Sequence, residues 1–252
     1  MRENKVRQLW ARGQGAVTAW VTMANSYDAE LHAVEDYDAV TIDVQHGMIS
    51  FQQAIEMLQA VSTGKPAPFA RAPWNDPASI MKLLDGGAYG IVCPMINSRE
   101  ECERFVGACR YAPQGYRSFG PARGLTYGGP DYFAHANETV VTLAMIETRQ
   151  ALDNLEAIIA VPGLDGVYIG PNDLAISLGY APSGEPVEKE VIEAVETIFK
   201  VCKAKGVKAG IHCPSGASTR KRLAQGFDFI AISNDARLLT AAIKQELAAA
   251  RA

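Results

Sequence analysis

Short apolar runs rich in β-branched residues alternate with longer stretches of helical spacing along the whole chain. The runs predict strands over Ala16–Met23, Ala39–Val44, Ala67–Ala72, Gly90–Met95, Thr139–Ile146, Gly166–Ile169, Lys208–His212 and Phe227–Ser233. Between them, apolar residues recur at three- and four-residue intervals. That spacing predicts helices over Phe51–Val61, Pro77–Leu84, Ser98–Cys109, Arg149–Val161, Val187–Lys205 and Ser215–Gln225, with Ala236–Ala250 closing the chain. Pro77, after Asn75 and Asp76, fits a first helical turn, where its missing N–H is not needed. Ser98 with Glu101 three residues later reads as a capping box.

Strands that alternate with helices form a parallel sheet with helices packed on it. Eight such units in 252 residues predict a closed (β/α)8 barrel, an α/β TIM barrel, as one domain over residues 1–252. An open doubly wound sheet is the structural rival. It would usually place a glycine-rich turn after the first strand, where this chain reads Ala24-Asn25-Ser26-Tyr27. A long segment, residues 111–137, separates the fourth and fifth strands and is rich in Gly, Pro, Tyr and Arg. Such a connection is expected to shape substrate selection or a subunit contact.

Composition narrows the function classes. A net charge of −4 argues against a nucleic-acid or membrane-surface binder, which needs a basic face. The five cysteines are odd in number and lack CxxC spacing, which suits reduced thiols rather than a disulfide framework or a zinc site. No apolar stretch is long enough for a membrane span, and the first residues lack the apolar core of a signal peptide. The expectation is a cytoplasmic protein.

In barrel enzymes the chemistry lies at the C-terminal ends of the strands. Those ends carry Asp43, Gln45 and His46 after the second strand, Arg71 after the third, Glu147 after the fifth, Asp173 after the sixth and His212 after the seventh. Glu147 and Asp173 follow neighbouring strands. Two like charges at one mouth repel unless protonated or bridged by a cation, and oxygen ligands suit Mg²⁺ or Mn²⁺. A bound 2-oxo acid could complete the coordination shell, and the cation would polarise its carbonyl. Equally, each carboxylate could simply cap the helix that follows it. Arg71 suits a developing oxyanion or a carboxylate, or a structural ion pair across the mouth. His46 suits proton transfer beside a carbonyl, or a hydrogen-bonded structural role. Asp43 could orient its neighbours or bond backbone at the strand end.

Several strings together resemble one family. IDVQHG at 42–47, RAPWNDP at 71–77, LLDGGAYGIVCPMI at 83–96, RYAPQGYRSFGPARG at 110–124, IET at 146–148 and GVYIGPNDLAISLGY at 166–180 are similar to the HpcH/HpaI aldolases, metal-dependent pyruvate aldolases of the 4-hydroxy-2-oxoheptanedioate aldolase type. The resemblance implies that Glu147 and Asp173 bind a divalent metal (Mg²⁺ or Mn²⁺, with Co²⁺ an alternative). It implies His46 in the base machinery and Arg71 on the enolate oxygen. It also implies that Asp85 supports the histidine, in some members across a subunit boundary. Backbone at Gly170, Pro171, Asn172 and Asp173 would receive the substrate carboxylate. The implied assembly is a homohexamer, a trimer of dimers with the last helix exchanged between partners. The chain departs from many members in having Gln45-His46 where they have Glu-His. The Gln45 amide can donate to a hydroxyl, which admits hydroxypyruvate beside pyruvate as the nucleophile.

The reaction expected is addition of the 2-oxo acid's enolate to an aldehyde, or the reverse cleavage of a 4-hydroxy-2-oxo acid. Three rivals stand beside it: a lyase for malyl- or citramalyl-CoA thioesters, a Schiff-base aldolase, and a non-catalytic barrel that only binds. The first needs a basic surface for the CoA nucleotide, which the sequence does not show near the mouth. The second needs a lysine at the mouth, whereas Lys65 and Lys208 precede strands.

Overall fold

A computed structural model describes residues 1–252. Eight parallel strands close into a barrel in sequence order: β1 (Ala16–Val21), β2 (Ala39–Asp43), β3 (Ala67–Arg71), β4 (Gly90–Cys93), β5 (Val141–Ile146), β6 (Gly166–Ile169), β7 (Lys208–Cys213) and β8 (Phe229–Ile232). β8 pairs with β1 through Ala16–Phe229 and Thr18–Ala231, so no sheet edge is left open.

The period of two along each strand sorts the side chains. Val40, Ile42, Ala70, Ile91, Ala144, Ile146, Val167, Ile169 and Ile211 face outward and join the large core shared with the helices. Ala39, Ala67, Phe69, Val92, Val141, Leu143, Met145, Tyr168, Phe229 and Ala231 form a separate cluster that fills the barrel. Phe69 stacks on Phe229 at 5.1 Å between ring centroids. A Cβ on Gly90 would lie 2.1 Å from the Phe69 ring, so glycine there is what lets the ring fill the interior. The same parity carries Asp43, Arg71 and His212 inward at the C-terminal ends of β2, β3 and β7. At the other end α1 (Lys5–Ala11) plugs the barrel, its Trp10 indole donating to the Asp228 carbonyl at 2.7 Å.

The remaining helices are α2 (Ser26–Val34), α3 (Phe51–Val61), α4 (Pro77–Asp85), α5 (Arg99–Cys109), α6 (Ala122–Gly128), α7 (Tyr132–Thr139), α8 (Arg149–Asp153), α9 (Leu155–Ile159), α10 (Pro171–Ser177), α11 (Lys189–Ala204), α12 (Gly216–Gln225) and α13 (Asp235–Ala250). The segment expected as one helix over Arg149–Val161 divides at Asn154, which ends α8 and starts α9. Asn154 also donates its amide to the Asn97 carbonyl at 2.8 Å. The Ser98 cap is half the expected box. Ser98 accepts from the Glu101 N–H, but Glu101 reaches back to Asn97 rather than to Ser98. Pro77 opens α4 behind Asp76, which caps Ser79.

Segment 111–137 is not bare loop: it contains α6 and most of α7. It runs from the C-terminus of α5 to the start of β5, which places it at the end of the barrel away from the strand C-termini. It cannot shape this chain's own mouth. No helix is long and apolar enough to cross a membrane.

Candidate active site

The strand C-termini enclose a cavity of about 380 Å³. Trp20, Asp43, Arg71, Met145, Tyr168 and His212 contribute from the strands, and Thr22, His46, Gly170, Pro171, Asn172, Asp173, Asn234 and Arg237 from the turns and helix starts beyond them.

Asp43 organises one side. Arg71 donates through Nε to Asp43 Oδ1 at 2.8 Å and through Nη2 to Oδ2 at 2.5 Å, a fork-to-fork pair with both residues buried. The Trp20 indole donates to Oδ2 at 3.1 Å, and the Gln45 and His46 backbone N–H groups each donate to Oδ1 at 3.1 Å. Burial works against the Asp43 charge, but the Arg71 guanidinium and these donors hold the carboxyl below its ordinary range. Both readings left open for Asp43 therefore hold: it orients Arg71 and it ties down the turn that carries His46. Arg71 makes the ion pair and also lines the cavity, its guanidinium carbon 5.1 Å from the Trp20 ring centre.

Glu147 follows β5 and is buried, 2% exposed. It does not cap α8. Thr148 does that, accepting from the Ala151 N–H at 3.0 Å. Glu147 Oε1 instead accepts from the Met95 N–H at 2.8 Å. Met95 has φ 56°, a left-handed backbone rare for a residue with a side chain, placed just after β4. Burial raises the Glu147 carboxyl to about 7, and the Asp173 charge adds to the rise, against the Met95 N–H and Arg71. Asp173 stands in the first turn of α10 and lines the cavity. A Cβ on Gly170 would lie 2.5 Å from Glu147 Oε2, so the carboxylate rests against bare backbone.

A cation fits this place. The donors are two hard oxygen ligands, one of them lifted by desolvation and by its acidic neighbour to a state that a positive charge would reverse. No third His, Cys, Asp or Glu joins them, so the protein would supply only two side-chain ligands, one of them, Asp173, on the cavity wall.

Not every expected residue reaches the mouth. Asp85 ends α4 at the opposite end of the barrel and accepts from Arg117 at 2.8 Å. Arg117 also donates to the Tyr132 hydroxyl at 3.0 Å. Within one chain Asp85 therefore does not support His46, because α4 carries it a full helix length back from β3. Gln45 does not line the cavity, and its amide oxygen is buried without a partner. Sequence reasoning assigned no role to Trp20, Tyr168 or Arg237, and left His212 without one. Their inward parity on β1, β6 and β7 was the available signal for the first two and for His212.

The fold and this mouth define a (β/α)8-barrel enzyme whose cationic, acidic and imidazole groups converge where strands end. The chain belongs to the HpcH/HpaI aldolase/citrate lyase family, whose sequence profile matches residues 17–242. It is similar to a hydroxypyruvate/pyruvate aldolase of Rhizorhabdus wittichii, 48% identical over 249 residues and 99% of each chain. It is also similar to a 4-hydroxy-2-oxo-heptane-1,7-dioate aldolase of Salmonella dublin, 37% identical over 94% of this chain and 90% of that one. Among solved structures it is similar to an HpcH/HpaI aldolase/citrate lyase family protein from Burkholderia cenocepacia. The TM-score is 0.90 at 27% identity, over 99% of this chain and all of the other.

Proposed function

We propose that the chain is a divalent-metal-dependent aldolase that joins the enolate of pyruvate or hydroxypyruvate to an aldehyde, or cleaves the resulting 4-hydroxy-2-oxo acid. The observation that carries this reading is the buried Glu147 carboxyl, held by the Met95 N–H and packed against Gly170 of the cavity wall, close enough to Asp173 and Arg71 to feel both charges. The name of the Rhizorhabdus relative supports the choice of oxo acids.

Glu147 and Asp173 would hold the cation, Mg²⁺ or Mn²⁺ by donor chemistry. When bound, it supplies Lewis acidity at the carbonyl of the oxo acid. Arg71, with its Nε and Nη2 committed to Asp43, keeps Nη1 for the oxygen that gains charge as the C3 proton leaves. His46, exposed at the mouth on a turn pinned by Asp43, takes and returns that proton, directly or through water. Gly170–Asp173 offer the unpaired N–H groups of the α10 start to the substrate carboxylate, with Pro171 fixing the turn. C3 of the enolate then bonds to the aldehyde carbon, and the aldehyde oxygen takes a proton to become the 4-hydroxyl.

A Schiff-base route lacks its lysine. No lysine lines the cavity, and Lys208, at the start of β7, is paired with Asp228 at 3.2 Å. The α13 helix supports the proposed exchange between copies of this chain. Asp235 is its only buried residue, while Leu238, Leu239, Ile243 and Leu247 are each 41–50% exposed. Support of His46 by Asp85 then belongs to a neighbouring copy.

The test is a panel of 2-oxo acids and aldehydes with metal-free and Mn²⁺-reconstituted protein, scored for the aldol product. Turnover with Mn²⁺ that EDTA abolishes is expected. Turnover that survives EDTA, or trapping of a substrate adduct by borohydride, overturns the metal reading.

A further inference from the structure

His212 is the one imidazole inside the mouth to which the reaction above gives no task. It stands at the end of β7 with its parity inward and lines the cavity with Arg71, His46 and Asp173. Its surroundings hold it firmly. Nδ1 lies 3.2 Å from the Tyr168 hydroxyl, and Tyr168 is fully buried with no other hydrogen-bond partner for that hydroxyl. Tyr168 stacks on Trp20 at 5.3 Å, and His212 meets the Trp20 ring edge-on at 5.2 Å. Trp20 in turn is anchored by its indole to Asp43. The imidazole is thus locked to the same scaffold that aims Arg71.

Burial and the Arg71 cation push its pKa down to about 4, so the ring is neutral at neutral pH. A neutral imidazole carries one N–H and one lone pair. With Nδ1 engaged by Tyr168, Nε2 makes no hydrogen bond within the chain. A charged base is not what this position offers; a fixed, uncharged hydrogen-bonding atom is. A hydroxyl can meet it in either tautomer, because a hydroxyl both donates and accepts. The Arg71 guanidinium lies 5.1 Å from the same indole ring that His212 meets edge-on, and both groups line the one cavity. In the aldolase reading, on which this inference rests, that cavity receives the enolate.

We propose that His212 is a specificity-determining residue that reads a hydroxyl on C3 of the 2-oxo acid nucleophile, through the ring nitrogen left free by Tyr168. The discrimination between hydroxypyruvate and pyruvate then sits on β7, in the wall of the cavity, rather than at Gln45, which does not line it.

The experiment measures kcat/KM for hydroxypyruvate and for pyruvate with the Mn²⁺-loaded enzyme. Each is paired with acetaldehyde and with glycolaldehyde, in the wild type and in H212F, H212Q and Y168F. The quantity read is the hydroxypyruvate-to-pyruvate ratio. One neutral hydrogen bond corresponds to a fall of about tenfold in H212F. The fall should be the same with both aldehydes, with partial recovery in H212Q and an intermediate fall in Y168F. If H212F does not fold, the H212Q and Y168F ratios carry the same test. An unchanged ratio, or a fall that follows the hydroxyl of glycolaldehyde instead, overturns the assignment while leaving the aldolase reading intact. Absence of turnover by the wild type with either oxo acid overturns both.

Discussion

Arg71 and Asp43 face each other across neighbouring strands, paired in register as the last residues of β3 and β2, and join through two parallel hydrogen bonds. The pairing fixes the plane of the guanidinium, not only its charge. Desolvation makes such a pair a weak source of net stability, but it leaves either partner costly to lose alone. Its value lies in aim: one edge of the fork is used up, so the other edge points where the cavity is.

Replacing Arg71 by Lys keeps the charge and discards the fork. A lysine ammonium can satisfy Asp43 or an oxyanion, but its point charge cannot hold both in fixed geometry. We expect kcat to fall by about 10²–10³, the scale of a lost oxyanion donor, while the melting temperature moves little. Steady-state kinetics beside a thermal melt check this. A near-normal rate would make the pair scaffolding alone.

Glu147 yields a pH dependence whose sign is fixed by the direction of its shift. Its folded pKa of about 7 lies above its ordinary value of 4.5. Stability from this group is therefore complete below about 4.5 and is lost as pH rises through about 7 in the metal-free protein. A bound cation favours the ionised form and should restore that loss. Melting temperatures from pH 5 to 8.5 should fall with pH in EDTA and fall less with Mn²⁺. In E147A the metal-free slope should flatten and bound Mn²⁺, read by equilibrium dialysis, should disappear. D173A should also lose Mn²⁺. Retained metal binding in both variants would remove the site.

The barrel was legible because its strands are buried on both faces and read as apolar runs between helical spacings. Phe51–Val61 and Gly166–Ile169 match residue for residue. Strand ends were overrun by one or two residues where an apolar or small side chain continues past the last ladder bond, as at Thr22 and Met23. Both N–H groups there are taken by the Asp235 carboxylate instead. Asp43, Arg71 and Glu147 were legible as polar residues ending apolar runs. The Met95 turn was not, because a positive φ at methionine has no composition signal. Nor was the Trp20–Tyr168–His212 assembly: Tyr168 and His212 stand on the paired strands β6 and β7, but Trp20 on β1 reaches them only once the barrel closes.

His212 should titrate far from the usual histidine range. Its folded pKa of about 4 lies below its ordinary 6.5 because burial and the Arg71 cation oppose the charged ring. The stability it contributes is present above about 6.5 and lost as pH falls through about 4. In NMR spectra of the ring nitrogens or carbons, its shifts should stay flat from pH 8 to 5 and move only near 4. Replacing Arg71 by a neutral residue should raise the midpoint. A midpoint near 6.5 in the wild type would show a ring open to water.

Gly170 offers a test of the carboxylate cradle that leaves every acidic group in place. The side chain of Glu147 lies so close to this backbone that an added methyl would sit 2.5 Å from Oε2, far inside van der Waals contact. In Gly170→Ala the carboxylate must rotate away or the start of α10 must shift, and Asp173 moves with that start. Either way the two acidic groups change their spacing while their number and the cavity's formal charge do not. Mn²⁺ affinity should therefore fall by at least tenfold, with a smaller loss of melting temperature. An alternative in which Glu147 and Asp173 act only through their charge gives the opposite result: Mn²⁺ affinity would survive Gly170→Ala and would drop only in E147Q or D173N. Comparing dialysis curves for those three variants separates geometry from charge at the site.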